Sequence, residues 1–115
     1  MEKYRDLEKR TLEFVKEVIK LCKKLPKTTI TIEQIRQVIR SSGSVGANYR
    51  EANEKLSKKD FVHRIRIARK EAKETTYWFE LLQEAASEFS EDIKPLIRES
   101  EELRNIFSAI LAKTS

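Results

Sequence analysis

The chain of 115 residues is long enough to bury an apolar core, and we predict one domain over residues 1–115. Charged residues make up 37% of it and only two Gly and two Pro occur, which indicates an amphipathic helical protein with few turns. It has no apolar stretch near the roughly 18 residues that span a membrane, its N-terminus lacks the apolar segment of a signal peptide, and Cys22 is its single cysteine. We therefore expect a cytoplasmic protein without disulfides or membrane contact.

The charge is distributed unevenly along the chain. Residues 1–74 carry 20 Lys/Arg and 11 Asp/Glu, a net +9, whereas residues 75–115 carry 4 and 8, a net −4. The first part can attract an anionic partner. The opposite charges could equally hold the two parts of the chain, or neighbouring subunits, together.

The first helix is predicted from about residue 3 to residue 25, where Pro26 ends it. Its apolar residues alternate spacings of three and four, and Leu12 and Ile19 widen the apolar arc to nearly half of the circumference. A short connection follows. There, Thr29 or Thr31 is expected to cap the second helix, and Thr31 and Gln34 have the spacing of a capping box.

The second helix is predicted from residue 32 to residue 55, through the segment RSSGSVGANYREA, which holds both glycines. Taken alone, this segment resembles a flexible linker or a phosphate-binding loop. However, the 3-4 alternation keeps its phase on both sides of the glycines, and no Gly-Lys-Ser/Thr follows. We therefore predict a continuous helix whose small residues let a neighbouring helix pack closely: Ser42, Gly43, Gly46 and Ala47.

The third helix is predicted to begin after Ser57 as N-cap, with Asp60 at the third helical position, and its inward stripe extends to Phe89. The fourth helix is predicted to begin near Asp92, which places Pro95 in the first turn, where a missing N–H is tolerated. Four helices with short connections predict an all-α fold, an up-down-up-down antiparallel four-helix bundle.

A second apolar stripe lies on another face of the third helix. A four-helix bundle buries one stripe per helix, so this one is surplus and predicts the interface of a homo-oligomer. The alternative is that Trp78 covers one end of the bundle core. Glu71 and Glu74 flank the stripe, and they either pair with arginines across the interface or form ordinary surface ion pairs. The candidate interface residues are Ile67, Trp78, Leu81, Ala85, Leu12 and Ile19.

Basic residues form a ridge along one flank of the third helix. Such a ridge can follow the phosphate backbone of RNA or DNA with salt-dependent affinity. The alternative is a solvated, lysine-rich helix face, and repetition of the ridge by symmetry would favour nucleic acid. The candidate nucleic-acid-binding residues are Lys59, Arg66, Arg69, Lys70 and Lys73.

No pattern for catalysis or metal binding emerges. His63 is the single histidine and lies opposite the inward stripe of its helix, whereas Cys22 belongs to the core stripe of another helix. One histidine rules out the paired Glu-x-x-His motifs of di-iron bundles and makes a zinc site from one chain unfavourable. We expect no enzyme, no cofactor and no metal.

Two segments resemble the signatures of a bacterial family: GSVGANYREA (43–52) and SKKDFVHRIRIARKEAKETTYWFELL (57–82). This is the family of four-helix-bundle proteins, or 23S rRNA-intervening-sequence proteins, also called S23 ribosomal proteins. The resemblance covers nearly the whole chain and is most specific at Ala47-Asn48-Tyr49 and Tyr77-Trp78. It implies a bundle that assembles as a homopentamer and has no established catalytic activity.

The resemblance leaves two functions open. Some members of the family are encoded in sequences inserted within 23S rRNA genes, and related accessory proteins of diversity-generating retroelements bind a reverse transcriptase. One function is a scaffold that binds RNA or DNA through basic faces repeated by symmetry. The other is a module that engages another protein without nucleic acid.

Overall fold

The computed structural model describes residues 6–54 and 57–114, and these ranges contain four α-helices and no strand. The helices are α1 (Leu7–Lys24), α2 (Ile32–Ala52), α3 (Lys58–Ala85) and α4 (Ser90–Thr114). A single 3₁₀ turn, Ser87–Phe89, joins α3 to α4. The helices pack against each other, which confirms the all-α four-helix bundle.

Side-chain contacts show that consecutive helices run in opposite directions. Ser41 Oγ lies 2.7 Å from Thr75 Oγ1, and seven residues later on α2 Asn48 accepts a hydrogen bond of 3.1 Å from Arg64, which lies earlier on α3. Each helix is therefore antiparallel to its predecessor. Pairs that fit the same arrangement join α1 with α2 and α3 with α4: Glu8 with Asn53, Thr76 with Ser100, and Gln83 with Ser90.

All four helices contribute to one apolar core. Its largest fully buried side chains include Phe79 of α3 and Phe107 of α4. On α2 the buried face is centred on Val38, Ser41 and Val45, because α2 turns towards α3 at the contact of Ser41 with Thr75. Ile39, which belongs to the 3-4 apolar alternation of this helix, lies outside the buried face and is 37% exposed.

Two predicted helix boundaries are wrong. Helix α3 ends at Ala85, because Ala86 leaves helical geometry at φ −135° and ψ 62°, so Phe89 packs against the core from the 3₁₀ turn. Helix α4 begins at Ser90, and Pro95 therefore lies beyond its first turn. The predicted helical residues 3–5 and 55 lie outside the described residues.

The two predicted caps differ in outcome. Ser57 caps α3 as predicted, since its Oγ accepts a hydrogen bond of 3.2 Å from the Asp60 amide. Thr31 precedes α2 but makes no side-chain cap, so the capping-box prediction is wrong. Its hydroxyl donates to the Pro26 carbonyl and accepts from the Thr28 amide at 3.0 Å, which ties the connecting loop together instead.

Helix α1 packs along α2 and meets α4 at fewer points. Arg10 ties it to α4 through two hydrogen bonds with Glu99, from Nε to Oε2 at 2.7 Å and from Nη2 to Oε1 at 2.9 Å. This hydrogen bonding, together with the charge of Glu99, raises the pKa of Arg10, against an opposing effect of burial. Within the described residues, no helix combines the length and apolarity needed to cross a membrane.

Gly46 lies at a close contact of α2 with α1. A Cβ atom at this position would lie 2.9 Å from Thr11 Oγ1 and 3.1 Å from Thr11 Cβ. At Gly43 a Cβ atom would lie 3.8 Å from Val15 Cγ2, an ordinary contact. Ser42 is buried, whereas Ala47 is exposed and takes no part in this contact. Among the small residues of the segment, Gly46 is the one where any side chain would press on α1.

We expect Gly46→Ala to lower the free energy of unfolding. Overpacking against Thr11 costs about 1–3 kcal/mol and outweighs the gain in helix propensity of about 1 kcal/mol. Urea denaturation followed by circular dichroism measures the difference. Gly43→Ala is the matched control, because its methyl group has room and should stabilise the helix. Equal effects of the two substitutions would contradict this account.

Burial should make the Cys22 thiol unreactive. Its side chain is 3% exposed, and burial raises its pKa to about 11 from the ordinary 9.0, against a smaller lowering by Lys27. Because the thiolate is the reactive form, we expect a thiol reagent at pH 8 to label the unfolded chain at once and the folded chain hardly at all. Rapid labelling of the folded chain would show that Cys22 is accessible.

The same pKa shift predicts a pH dependence of stability. The folded state favours the protonated thiol, so this contribution is complete below pH 9 and is lost as the pH rises towards 11. Urea titrations at several pH values compare the wild type with Cys22→Ala, which should lose less stability over that window.

Candidate nucleic-acid interface

The basic ridge occupies the outward face of α3. Lys59, Arg66, Lys70 and Lys73 follow one another at spacings of seven, four and three residues, and all four are exposed. The opposite face carries the buried core residues of this helix, so burial of that face turns the ridge towards solvent. From Lys59 to Lys73 the ridge extends about 21 Å along the helix axis. Arg69 is half-buried at its edge.

Helix α4 lies beside this ridge, and side chains of the two helices line a groove between them. The groove has a volume of about 410 Å³, and it is lined by five cations and one hydroxyl without any carboxylate: Arg66, Arg69, Lys70, Lys73, Arg104 and Ser108. Our sequence analysis missed Arg104 and Ser108, because Arg104 lies in the acidic part of the chain. Their spacing of four residues, next to the inward positions Leu103 and Phe107, is the signal that could have revealed them.

A second groove continues the first one towards the N-terminal end of α3. It has a volume of about 770 Å³ and shares Arg66 with the first groove. Its wall combines cations with one carboxylate, that of Asp60, and with the apolar side chains of Val62 and Leu111, and His63 also lines it. The two grooves meet at Arg66 and together form a mainly cationic surface between α3 and α4, which we call the α3–α4 groove.

The cations of this groove have no counterion of their own. In the ranges 6–54 and 57–114, none of Lys59, Arg66, Arg69, Lys70, Lys73 and Arg104 forms an ion pair. By contrast, Arg40 pairs with Glu71 and Glu74, and Arg50 pairs with Glu8. The groove therefore presents uncompensated positive charge, which favours an anionic ligand.

The second apolar stripe of α3 is only partly covered within the chain. Ile67, Trp78, Leu81 and Ala85 are all half-buried. On α1, Leu12 is 40% exposed and Ile19 is 38% exposed. The single chain thus leaves two separate apolar surfaces, one on α1 and one on α3.

Glu71 and Glu74 both form ion pairs with an arginine of the same chain, Arg40. Arg40 Nη2 of α2 donates to Glu74 Oε1 at 2.7 Å and lies 3.4 Å from Glu71 Oε1, without hydrogen-bond geometry towards the latter. Glu71 is 6% exposed, so its Oε1 is a buried oxygen without a hydrogen bond. A buried carboxylate in this state is costly unless a further donor reaches it.

The single histidine and the single cysteine lie on different helices, α3 and α1. His63 is exposed in the α3–α4 groove, whereas Cys22 is buried in the core. Over residues 6–54 and 57–114, no three His, Cys, Asp or Glu side chains are placed to hold a metal ion. The chemistry that the groove offers is attraction and hydrogen bonding to anions.

Comparisons with known proteins agree with this architecture. The family model for 23S rRNA-intervening sequence proteins matches residues 5–109. The chain is 34% identical to a crystallised protein of unknown function from the S23 ribosomal protein family of Bacteroides thetaiotaomicron VPI-5482. The match has a TM-score of 0.81 and covers 90% of this chain and 96% of that one. No curated protein sequence matches. The chain belongs to the family of 23S rRNA-intervening sequence proteins.

Proposed function

We propose that this protein is a non-enzymatic, cytoplasmic scaffold that binds RNA or DNA along the α3–α4 groove. The uncompensated cations of that groove carry the proposal. The name of the family refers to sequences that intervene in 23S rRNA and states no ligand. The charge and shape of the groove, and not the name of the family, support binding to nucleic acid.

Binding would proceed through the phosphate backbone. Each lysine or arginine that contacts a phosphate releases condensed counterions, so five or six contacts give a steep dependence of affinity on salt, with a slope of about −4 on logarithmic axes for a single strand. Arg69 and Arg104 lie on opposite walls, and guanidinium groups can hold a phosphate with two hydrogen bonds each. Such contacts bind many sequences equally.

Charge reversal in the groove tests this function. We expect Arg66→Glu with Lys70→Glu to weaken binding of a structured RNA fragment more than tenfold and to reduce the salt slope by about 2, since two phosphate contacts are lost. Filter binding over a salt series measures both quantities. The matched control, Lys20→Glu with Lys94→Glu, makes the same change of charge at two lysines that pair with Glu17 and Glu91. If both double variants lose the same affinity, or the wild type does not bind, the proposal fails.

We further propose that the chain forms a homo-oligomer, a pentamer as the family resemblance implies. The stripe of Ile67, Trp78, Leu81 and Ala85 on one protomer would contact the next protomer at Leu12 and Ile19. The exposure of Leu12 and Ile19, and the partial exposure of the stripe on α3, support this arrangement. Two unlike surfaces meet head to tail, and a rotation that closes gives a ring. A ring would repeat the groove and raise the avidity for a long nucleic acid.

Light scattering at low protein concentration tests the oligomer. Trp78→Ala should lower the mass, because truncation removes the largest side chain of the stripe. Trp78 also packs against the core, so Leu12→Glu provides a second test at an exposed position. Lys73→Ala is the control that should keep the wild-type mass. A monomeric wild type would refute the interface.

The exposed apolar surfaces on α1 and α2 support one alternative, a protein-interaction module without nucleic acid. Leu12, Ile19 and Ile39 would then contact a different protein. A pull-down after nuclease treatment distinguishes the two functions. Partners that persist favour the alternative, and partners that are lost favour nucleic acid.

A further inference from the structure

Tyr77 is the one exposed aromatic side chain in the described part of the chain. It is 55% exposed, whereas the other aromatic rings of residues 6–54 and 57–114 are buried or pack against the core. Its hydroxyl group makes no hydrogen bond to those residues. The ring therefore contributes little to the packing of the bundle, and most of its surface is available for a ligand.

Tyr77 continues the basic ridge of α3. Lys70, Lys73 and Tyr77 lie at spacings of three and four residues on one stripe of the helix, which Lys59 and Arg66 begin. The ring lies about 6 Å beyond Lys73 along the helix axis. Beyond this ring the side chains of the stripe are negatively charged.

The residues that follow on the stripe are Glu80 and Glu84, which are exposed. Carboxylates repel phosphates, so a backbone that follows the ridge ends or turns away at Tyr77. This places the ring where a nucleotide leaves the cationic surface.

Trp78 supports the ring of Tyr77. Their ring centroids are 5.4 Å apart, and their planes are inclined at 74°, an edge-to-face arrangement. A neighbour perpendicular to the ring can cover one of its faces at most. At least one face of Tyr77 is therefore open with respect to Trp78, on a ring that its neighbour restrains.

We infer that Tyr77 stacks on an unpaired base, so that the preferred ligand is a single-stranded segment. The inference rests on the proposed nucleic-acid function and narrows its ligand. In a duplex the base faces are stacked on each other and only edges are exposed in the grooves. Cations alone would bind both forms, whereas an aromatic platform adds affinity for single strands only.

The experiment compares two labelled RNA probes by fluorescence anisotropy. One is an oligouridylate of about 12 nucleotides, within the usual site sizes of single-strand binders, and the other is a blunt RNA duplex of equal length. The variants are Tyr77→Phe, which keeps the ring, and Tyr77→Leu, which keeps apolar bulk without a π face.

We expect Tyr77→Leu to raise the Kd for the oligouridylate by about 5- to 100-fold, the loss typical of one stacked base. Tyr77→Phe should stay within about twofold of the wild type. The Kd for the duplex and the salt slope for both probes should not change, because no phosphate contact is removed. Trp78 provides a second readout, since its fluorescence should change when a base stacks on the neighbouring ring.

Three outcomes would overturn the inference while leaving the proposed function intact. These are an equal loss for both probes, unchanged binding of Tyr77→Leu, and a fall in the oligomer mass of Tyr77→Leu by light scattering. The last would place Tyr77 in a subunit interface. The proposed function itself fails differently, when the wild type binds neither probe or when Arg66→Glu with Lys70→Glu binds as well as the wild type.

Discussion

Ala68 and Ala72 of α3 are fully buried between the neighbouring helices, together with Ile65 one turn earlier. Because the alanine side chains are small, α2 and α4 can both approach the axis of α3 closely, and the larger ring of Phe79 fills the core further along. This packing fixes how α3 is rotated about its own axis. A shift by one residue would turn every side chain by about 100° and would carry Ala72 and the core row into solvent.

Hydroxyl groups fix the axial positions of the helices. On one side of α3, the Thr75 hydroxyl lies 2.7 Å from Ser41 Oγ, and on the other side the Thr76 hydroxyl lies 2.6 Å from Ser100 Oγ. Thr75 and Ser100 also donate to carbonyl oxygens of their own helices, so these buried groups are satisfied. The position of α4 against α3 that results sets Arg104 beside the ridge of α3. The cationic groove therefore follows from packing that lies in the core.

A structural feature could be predicted from the sequence when the residues that determine it lie close together in the chain. Helices and their continuity through Gly43 and Gly46 follow from the spacing of apolar residues, and the cap at Ser57 follows from residues three positions apart. Thr31 was misjudged because its hydroxyl had a competing acceptor, the Pro26 carbonyl, that only the folded loop brings close.

Only one of the two walls of the groove could be predicted from the sequence. Its α3 wall, with Arg66 and Lys70, is a pattern within one helix, so the sequence displays it. Its α4 wall depends on which residues of two antiparallel helices come side by side. Spacing within α4 places Arg104 beside the inward positions Leu103 and Phe107, but it does not tell which residues of α3 Arg104 meets. The pairing of Arg40 with Glu71 was open for the same reason, since it needs the relative position of α2 and α3.

Helix α3 thus presents three surfaces: the buried core face, the apolar row and the basic stripe. The angles between them around the helix axis are fixed. On α3 the row of Ile67 and Trp78 is separated by roughly a sixth to a quarter of a turn from the stripe of Lys70 and Tyr77, at about 100° per residue. Any assembly built on the apolar row must then present the basic stripe at one fixed orientation in every subunit. A helix is rigid, so the angle between the apolar row and the basic stripe cannot change. The spacing of the basic stripes around a ring would therefore be set by the geometry of the subunits alone. A long, flexible strand can follow such a spacing more readily than a stiff duplex can, because each unpaired nucleotide adjusts its own backbone. The geometry of the proposed ring would therefore favour the same class of ligand as the proposed stacking on Tyr77.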